Sequence, residues 1–297
     1  MDVPVNAVQL PPKAVIYATD FSSYSENAGR YVSLLARHFD ADLMVAHAFL
    51  LSQAAEEVEA ESNPPQKSAQ RRELESALAA VAQRFGEGAK RVVPVLLDGD
   101  PREKIPRLAM ENAPSLLVLG THGRGRVERG IIGSVAERVL RATDGPSLTV
   151  GPDVPALQPG TQPFRHILFA TGLSAASVRG AAYAKAMAQT FHARLDVLHV
   201  AHPEDMEDPG RMKEIREHLT TTLESVLPGE AWEALDPKGA IETGRAHRRI
   251  LDYIHGSSVD LLVLALRKSS HQWLQPRLSG AFHIVANAPC PVMTITG

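Results

Sequence analysis

The stretch Lys13–Ser22 has the sequence KAVIYATDFS, and Arg165–Ser174 repeats its pattern as RHILFATGLS. Three further pairs of similar stretches occur in the same order in both halves: ADLMVAH (Ala41–His47) with ARLDVLH (Ala193–His199), SLLVLG (Ser115–Gly120) with DLLVLA (Asp260–Ala265), and GPSLTV (Gly145–Val150) with CPVMTI (Cys290–Ile295). The same order and a nearly constant offset between the paired stretches indicate a duplicated domain. The repeat is far too long to be a solenoid unit.

Each copy alternates between strand and helix patterns. In the first copy the predicted strands are Ala14–Thr19, Leu43–Phe49, Arg91–Leu97, Leu116–Gly120 and Ser147–Val150; the predicted helices are Ser25–Phe39 after the N-cap Ser22, Ser68–Phe85, one beginning at Pro101 after the cap Asp100, and Ile131–Arg141. Near-continuous apolar strands suit a parallel sheet covered on both faces. We therefore expect an α/β fold of two tandem Rossmann-like, doubly wound domains, 1–150 and 165–297, joined by the proline-rich linker 151–164.

The composition excludes several classes of protein. The chain has 297 residues, 44% hydrophobic and 22% charged, which is typical of a globular protein with room for two domains. The formal net charge is −3 and neither half is basic, so nothing indicates a nucleic-acid partner. No apolar run suggests a membrane span or a secretory signal. With a single cysteine, Cys290, we expect a cytoplasmic protein that has no internal disulfide.

Two strand ends carry sequence suited to a ligand. The first strand ends in Thr19-Asp20, and the fourth is followed by GTHGRGRVERGIIGS (Gly120–Ser134), after which a helix begins. In doubly wound sheets, ligands bind beyond the carboxyl ends of the strands. An acidic Asp20 would repel phosphates, so we expect it to accept hydrogen bonds from a sugar hydroxyl or a base, or to help hold Mg²⁺.

The glycines of this loop suit phosphate binding. Gly120 allows the chain to turn, and Gly123 leaves backbone N–H groups open to phosphate oxygens. Gly133 and Ser134 begin the last helix, whose free N–H groups and positive potential attract anions. Loop arginines would screen phosphate charge: Arg124, Arg126 and Arg129. A lone pair of glycines is, however, equally compatible with a role in chain turning alone.

The spacing of the loop is more specific than its glycines. It is neither a Walker loop nor a G-x-G-x-x-G fingerprint. Its pattern is Gly, two residues, Gly, nine residues and Gly-Ser, after the fourth strand of a domain whose first strand ends in Asp. This combination resembles the universal stress protein family, here as a tandem of two domains. The resemblance covers nearly the whole chain outside the N-terminal tail and the linker.

The resemblance implies a fold, a ligand and a site. The family fold has five parallel strands in the order 3-2-1-4-5, and this motif marks its ATP-binding members. Carried onto this chain, the site comprises Thr19, Asp20, Val45 (near the end of the second strand, where backbone would hold adenine), Gly120, Thr121, His122, Gly123, Arg124, Gly133, Ser134 and Val135. The family also pairs last strands across dimers. We therefore expect an intramolecular pseudo-dimer through Ser147–Val150 and Val292–Ile295, and leave a homodimer of two chains open.

The second copy departs from the motif. Its counterparts of Asp20, Gly120, Gly123 and Gly133 are Gly172, Ala265, Lys268 and Leu278, while Ser279 matches Ser134, Gly280 is displaced by one residue, and Trp273 and Pro276 occupy the loop. We therefore expect the second domain to be structural or to serve interactions, without binding ATP in the family manner.

The other residues with reactive or metal-binding side chains are better explained by structural or solvent-exposed roles. The histidines, His192, His199 and His202 among them, lack a recurring metal-ligand spacing, so we expect no metal site in them. His122 is as compatible with a phosphate contact as with a solvent-facing role. Cys290, beside a core strand, is expected to be buried and inert. The basic run at 245–249 is better explained as a solvated helix start than as an anion site.

The leading hypothesis is a stress-response regulatory protein that binds ATP, with or without Mg²⁺, in its first domain. No residue stands out as a general base aimed at a γ-phosphate, so we assign no catalytic residue and expect no enzyme beyond slow ATP hydrolysis. Two rivals stay open. One is a nucleotide hydrolase, and the other is an interaction protein that binds no nucleotide.

Overall fold

The computed structural model describes residues 10–49, 64–123, 130–158, 160–172, 174–226, 238–266 and 280–296. The first half contains β1 (Ala14–Ala18), α1 (Ser23–His38), β2 (Asp42–Phe49), α2 (Pro64–Phe85), β3 (Arg91–Asp98), α3 (Pro101–Glu111), β4 (Ser115–Gly120), α4 (Ser134–Ala142) and β5 (Pro146–Val150). The second half contains β6 (His166–Thr171), α5 (Ala175–Phe191), β7 (Arg194–Ala201), α6 (Pro203–Glu207), α7 (Pro209–Val226), β8 (Lys238–Thr243), α8 (Ala246–Ser257), β9 (Leu261–Leu266), α9 (Gly280–Asn287) and β10 (Val292–Thr296).

All these strands join one sheet, in the order β3-β2-β1-β4-β5-β10-β9-β6-β7-β8. Within each half the neighbours are parallel and follow the order 3-2-1-4-5. The predicted α/β fold of two doubly wound domains is confirmed. In both halves the order reverses between the first and fourth strands, and this reversal opens a crevice at their carboxyl ends.

The central strands and α1 show why the sequence folds this way. In β1, Val15 and Ile16 are fully buried and point to opposite sides of the sheet, which helices cover. The side chain of Ser22 caps α1 by accepting a hydrogen bond from the Ser25 N–H at 3.3 Å. Helix α1 buries one face, including Val32 and Leu35, against β1 and β4. The start of α1 is thereby fixed directly beside the end of β1.

Two predicted helices begin three or more residues away from their predicted start. The predicted helix Ile131–Arg141 begins at Ser134, because Gly133 is extended and its N–H donates to the Thr121 carbonyl at 2.9 Å. The helix predicted from Ser68 begins earlier, at Pro64. Proline suits the first turn of a helix, because it lacks a backbone N–H and an N–H at that position would have no intrahelical partner.

The two halves meet along their last strands. β5 and β10 pair antiparallel, with Leu148 opposite Met293. Beside this seam the Arg141 guanidinium lies over the Phe282 ring, 4.4 Å from its centroid. The connecting segment is anchored to α1, where Asn27 Nδ2 donates to the Val154 carbonyl at 2.8 Å. None of the helices in the described ranges is long and apolar enough to cross a membrane.

Candidate functional site

A cavity of about 290 Å³ opens at the carboxyl ends of β1, β2 and β4 in the first half. Its wall contains nine of the predicted site residues: Thr19, Asp20, Gly120, Thr121, His122, Gly123, Gly133, Ser134 and Val135. The structure thus brings the two separate strand ends together around one space. Arg124, together with Arg126 and Arg129, lies outside the described residues.

Backbone hydrogen bonds hold the two ends of the glycine loop together. Thr121 follows β4 and is fully buried, and its N–H donates to the Val150 carbonyl at 3.2 Å. Its carbonyl accepts the Gly133 N–H at 2.9 Å. A Cβ at position 133 would lie only 3.2 Å from that carbonyl oxygen. Gly133 is therefore explained by the close approach of the loop ends, and as N-cap it offers no side chain to the first N–H groups of α4.

Asp20 is held at the start of α1 and faces Gly123. Its Oδ1 accepts hydrogen bonds from the Ser22 N–H at 3.0 Å and the Ser22 hydroxyl at 2.6 Å. A Cβ on Gly123 would lie 2.8 Å from Asp20 Oδ2, so no side chain fits there unless the carboxylate moves. Next to Asp20, Phe21 adopts a positive φ of 61°, which completes the sharp turn into α1. The aspartate and the glycine loop therefore form opposite sides of a narrow gap.

The polar residues deeper in the cavity satisfy one another. The Thr19 and Ser25 hydroxyls are 3.1 Å apart, and the Thr19 hydroxyl accepts the Phe21 N–H at 3.0 Å. His47 Nδ1 lies 2.7 Å from the Thr19 carbonyl and donates to it, because a carbonyl only accepts. These bonds fix the floor of the cavity.

His122 is the titratable group on the loop side. Its Nδ1 is 2.8 Å from the Thr121 hydroxyl, and its ring lies 6.0 Å from that of Tyr24. Partial burial lowers the pKa of His122, and Asp153 opposes this only in part. The ring is therefore neutral at pH 7 and adds no positive charge to the cavity.

One predicted residue does not line the cavity. Val45 is fully buried in the middle of β2, in register with Tyr17 and Pro94. Because β2 continues to Phe49, the part of it that borders the cavity is His47 and Ala48. The residues of β2 that border the cavity thus lie two and three positions beyond Val45.

Sequence reasoning also missed Ser25, His47, Pro101 and Ile105, which line the cavity from α1, β2 and α3. A signal for one of them was present, because His47 recurs as His199 in the second half. There, His199 Nδ1 donates in the same way to the Thr171 carbonyl at 3.0 Å. The shared bond shows that this histidine orients the strand ends in both halves, whatever the ligand.

The second half retains the architecture and lacks the motif. Gly172 stands at the strand end where the first half has Asp20, and nothing lies within 4 Å of a Cβ built on it. Ala265 occupies β9 at the position of Gly120, and Gly280 begins α9. The remaining counterparts, Lys268, Leu278 and Ser279, lie outside the described residues, as do Trp273 and Pro276.

The model of the universal stress protein family matches residues 12–151 and again 163–296. The chain belongs to this family. A universal stress protein of Thermus aquaticus is 30% identical over 140 residues, which are 46% of this chain and 98% of that protein. One from Methanocaldococcus jannaschii is 28% identical over 138 residues, 46% of this chain and 81% of the relative. The structure of a universal stress protein from Archaeoglobus fulgidus has a TM-score of 0.72 at 20% identity and covers 96% of this chain and 98% of its own. This universal stress protein therefore shares its two-domain fold with a solved relative.

Proposed function

We propose that this universal stress protein binds ATP in the cavity of its first half and acts as a regulator in the stress response. The observation that carries the proposal is the gap between Asp20 and Gly123, in which a carboxylate and a bare backbone edge face each other. The cavity is large enough to receive part of a nucleotide, at about 290 Å³. The remainder of the ligand would lie in its open mouth.

The phosphates would lie on the loop between Gly120 and Ser134. The exposed Ser134 hydroxyl and the first N–H groups of α4 point to the same end of the cavity, where the helix supplies positive potential. Gly123 keeps the backbone accessible, and any side chain there would collide with Asp20. Two independent features thus favour an anion at this end of the cavity.

Asp20 supports Mg²⁺-bound ATP over free ATP. Its carboxylate lies beside the proposed phosphate loop, and an unscreened carboxylate would repel phosphate oxygens. Mg²⁺ is held in many sites by one or two carboxylates together with substrate phosphates and water, which suits a single aspartate. Within the described residues no three His, Cys, Asp or Glu side chains form a metal site of their own. When bound, Mg²⁺ would neutralise phosphate charge. If ATP binds without Mg²⁺, the Asp20 carboxylate would instead accept a hydrogen bond from a ribose hydroxyl.

The adenine end would lie at β2, against Ala48 and His47. His47 Nδ1 is committed to the Thr19 carbonyl, so the ring is held in place at the edge of the cavity. Ile105 from α3 adds an apolar wall on the same side. This assignment replaces the contact expected at Val45.

We also propose a division of labour between domains 1–150 and 165–297, joined by the linker 151–164. The first would carry the nucleotide, and the second would hold the first in an intramolecular pseudo-dimer through the paired β5 and β10. This pairing covers an edge strand of each half, and a further homodimer would have to use other surfaces. Binding of nucleotide would order the glycine loop and so alter the surface offered to partner proteins.

The proposed role is regulatory, with at most slow ATP hydrolysis. Among the described lining residues Asp20 is the carboxylate, and its Oδ1 already accepts two hydrogen bonds from Ser22. It is therefore poorly placed to act as a general base towards water. Phosphate release well above the spontaneous rate, abolished by Asp20→Ala, would instead favour the hydrolase alternative.

Calorimetric titration of the full chain with Mg-ATP tests the proposal. Wild-type protein should bind ATP saturably, and Gly123→Val should weaken binding by at least about tenfold, because the new side chain displaces Asp20 and fills the gap. Gly172→Val is the matched control, since its Cβ meets no atom within 4 Å and lies in the other half. Equal loss in both variants, or no saturable binding by the wild type, would contradict the proposal.

A further inference from the structure

The second half has a cavity of its own, at the carboxyl ends of β6, β7 and β8. Its volume is about 770 Å³, and it is lined by Gly172, His199 and Gly244 at the strand ends and by side chains of α6, α7 and α8. It lies at the carboxyl-end edge of the sheet, the edge at which doubly wound domains bind ligands, on the β7 side of the first strand of this half. Neither the nucleotide motif nor its aspartate is present in this half, so any ligand here must be recognised by other groups.

Two acidic positions of the first half are not acidic here. Gly172 replaces Asp20, which leaves open space at the strand end. Arg245 replaces Asp100 as the N-cap of the helix that follows the third strand of each half. The Asp100 side chain caps α3 by accepting the Arg102 N–H at 2.9 Å, a bond that an arginine cannot make. A good capping residue has thus been exchanged for a cation that lines the cavity.

One further cation borders the same space, because Arg211 reaches the cavity from α7. His247 lines it from the first turn of α8, but burial and the nearby His283, Arg248 and Arg245 lower the pKa of its ring, so it adds no fixed positive charge. Asp205 is the carboxylate among the described lining residues, and Arg211 lies between it and Glu214, with Nε 3.5 Å from Asp205 Oδ1 and Nη1 2.8 Å from Glu214 Oε2. Arg245 has an exposed guanidinium and contributes an additional positive charge. Among the described residues that line this cavity, two arginines thus accompany one carboxylate, whereas the charged side chain among those that line the first-half cavity is Asp20.

We propose that this cavity binds a small anion bearing phosphate or carboxylate groups, with Arg245 as its principal ligand. Guanidinium groups match the oxygens of both anions with paired hydrogen bonds. Arg211, which pairs with Asp205 and Glu214, would border the same anion from α7. The missing acid at Gly172 removes the repulsion that Asp20 would exert in the first half, and the space it vacates admits the ligand.

Arg245→Asp gives a test that separates binding from folding. The substitution installs the capping residue found at Asp100, so the start of α8 should be stabilised, and the thermal midpoint should stay equal or rise. Inorganic pyrophosphate titrated into the full-length wild type should bind saturably. Binding to Arg245→Asp should be about tenfold weaker or more, because a charged hydrogen bond is replaced by repulsion. Arg179→Asp, which makes the same charge change on an exposed part of α5, should leave the affinity unchanged.

A parallel titration with succinate distinguishes the two anion chemistries. Binding of either probe that is lost in Arg245→Asp supports the site and identifies which anion it prefers. Absence of saturable binding by both probes would overturn the proposal, as would equal weakening in Arg245→Asp and Arg179→Asp. Because the proposed phosphate loop of the first half would also accept pyrophosphate, only the binding that Arg245→Asp removes reports on the second half. Saturable binding that Arg245→Asp leaves unchanged would therefore overturn the proposal, whether or not ATP binds in the first half.

Discussion

Replacing Asp196 should destabilise the protein more than replacing any exposed carboxylate. Asp196 is fully buried in β7 and accepts hydrogen bonds from His166 Nε2 at 2.7 Å, from the Tyr253 hydroxyl at 2.8 Å and from Arg194 NH2 at 3.0 Å. In Asp196→Ala, the buried His166 would lose its partner away from water, Tyr253 would lose its partner in a part-buried position, and the half-exposed Arg194 could turn to solvent. A stranded buried donor costs about 1–3 kcal/mol and the part-buried Tyr253 adds less, so we expect a loss of about 2–4 kcal/mol.

Urea denaturation followed by circular dichroism measures this loss and its pH dependence. Burial alone would raise the pKa of Asp196, but the hydrogen bonds from Tyr253, His166 and Arg194 outweigh it and hold that pKa below its usual value. A carboxylate with a lowered pKa stabilises the fold above its unfolded pKa of about 3.9, and this stabilisation is lost as the pH falls through the folded value. The stability difference between wild type and Asp196→Ala should therefore be constant from about pH 5 to 7 and shrink below about pH 4.

Asp42→Ala is the matched control. Asp42 begins β2 at the position equivalent to Arg194 in β7, and it pairs with Arg91 at 2.7 Å, where the Arg91 side chain is 70% exposed. Because solvent screens such a pair, its removal should cost less than about 1 kcal/mol. A loss of stability in Asp196→Ala as small as that in Asp42→Ala, or one that did not change in acid, would show that the buried hydrogen bonds of Asp196 do not stabilise the fold.

Two further predictions concern packing. Gly29→Ala should destabilise the first half by about 1–3 kcal/mol in thermal unfolding, because the new Cβ would lie 2.6 Å from the Phe85 ring. In the control Gly256→Ala the new Cβ meets nothing within 4 Å, so the change should be neutral or stabilising by up to about 1 kcal/mol. Equal effects of the two substitutions would contradict the tight packing of Gly29 against Phe85. Burial raises the pKa of the Cys290 thiol to about 12, so iodoacetamide should modify it at pH 8 only at the rate of unfolding, and rapid labelling of the native protein would show that the thiol is accessible.

Much of the fold follows from local sequence. The duplication, the apolar strands and the caps at Ser22 and Asp100 are properties of short stretches, and they predict the order of elements that the structure shows. The start of α4 was harder to predict, because Ile131 and Ile132 continue the helical spacing of apolar residues. A tertiary bond from the Gly133 N–H to the Thr121 carbonyl delays the helix to Ser134.

The candidate site was predictable where a motif marks it. The positions of Asp20 and the loop glycines are fixed by the ends of two predicted strands, so their meeting in space follows from topology. The contribution of β2 depends on strand length and register, which set His47 rather than Val45 at the cavity edge. The network around Asp196 was also missed, because its partner Tyr253 is 57 residues away and only folding brings them together.

A crystal structure of the full chain grown with saturating Mg-ATP would locate the nucleotide. We expect one nucleotide per chain, in the first-half cavity, with its phosphates on the loop between Gly123 and Ser134 and its base towards Ala48. Nucleotide bound in the second half, or an empty first-half cavity at a concentration at which ATP binds in solution, would contradict this expectation.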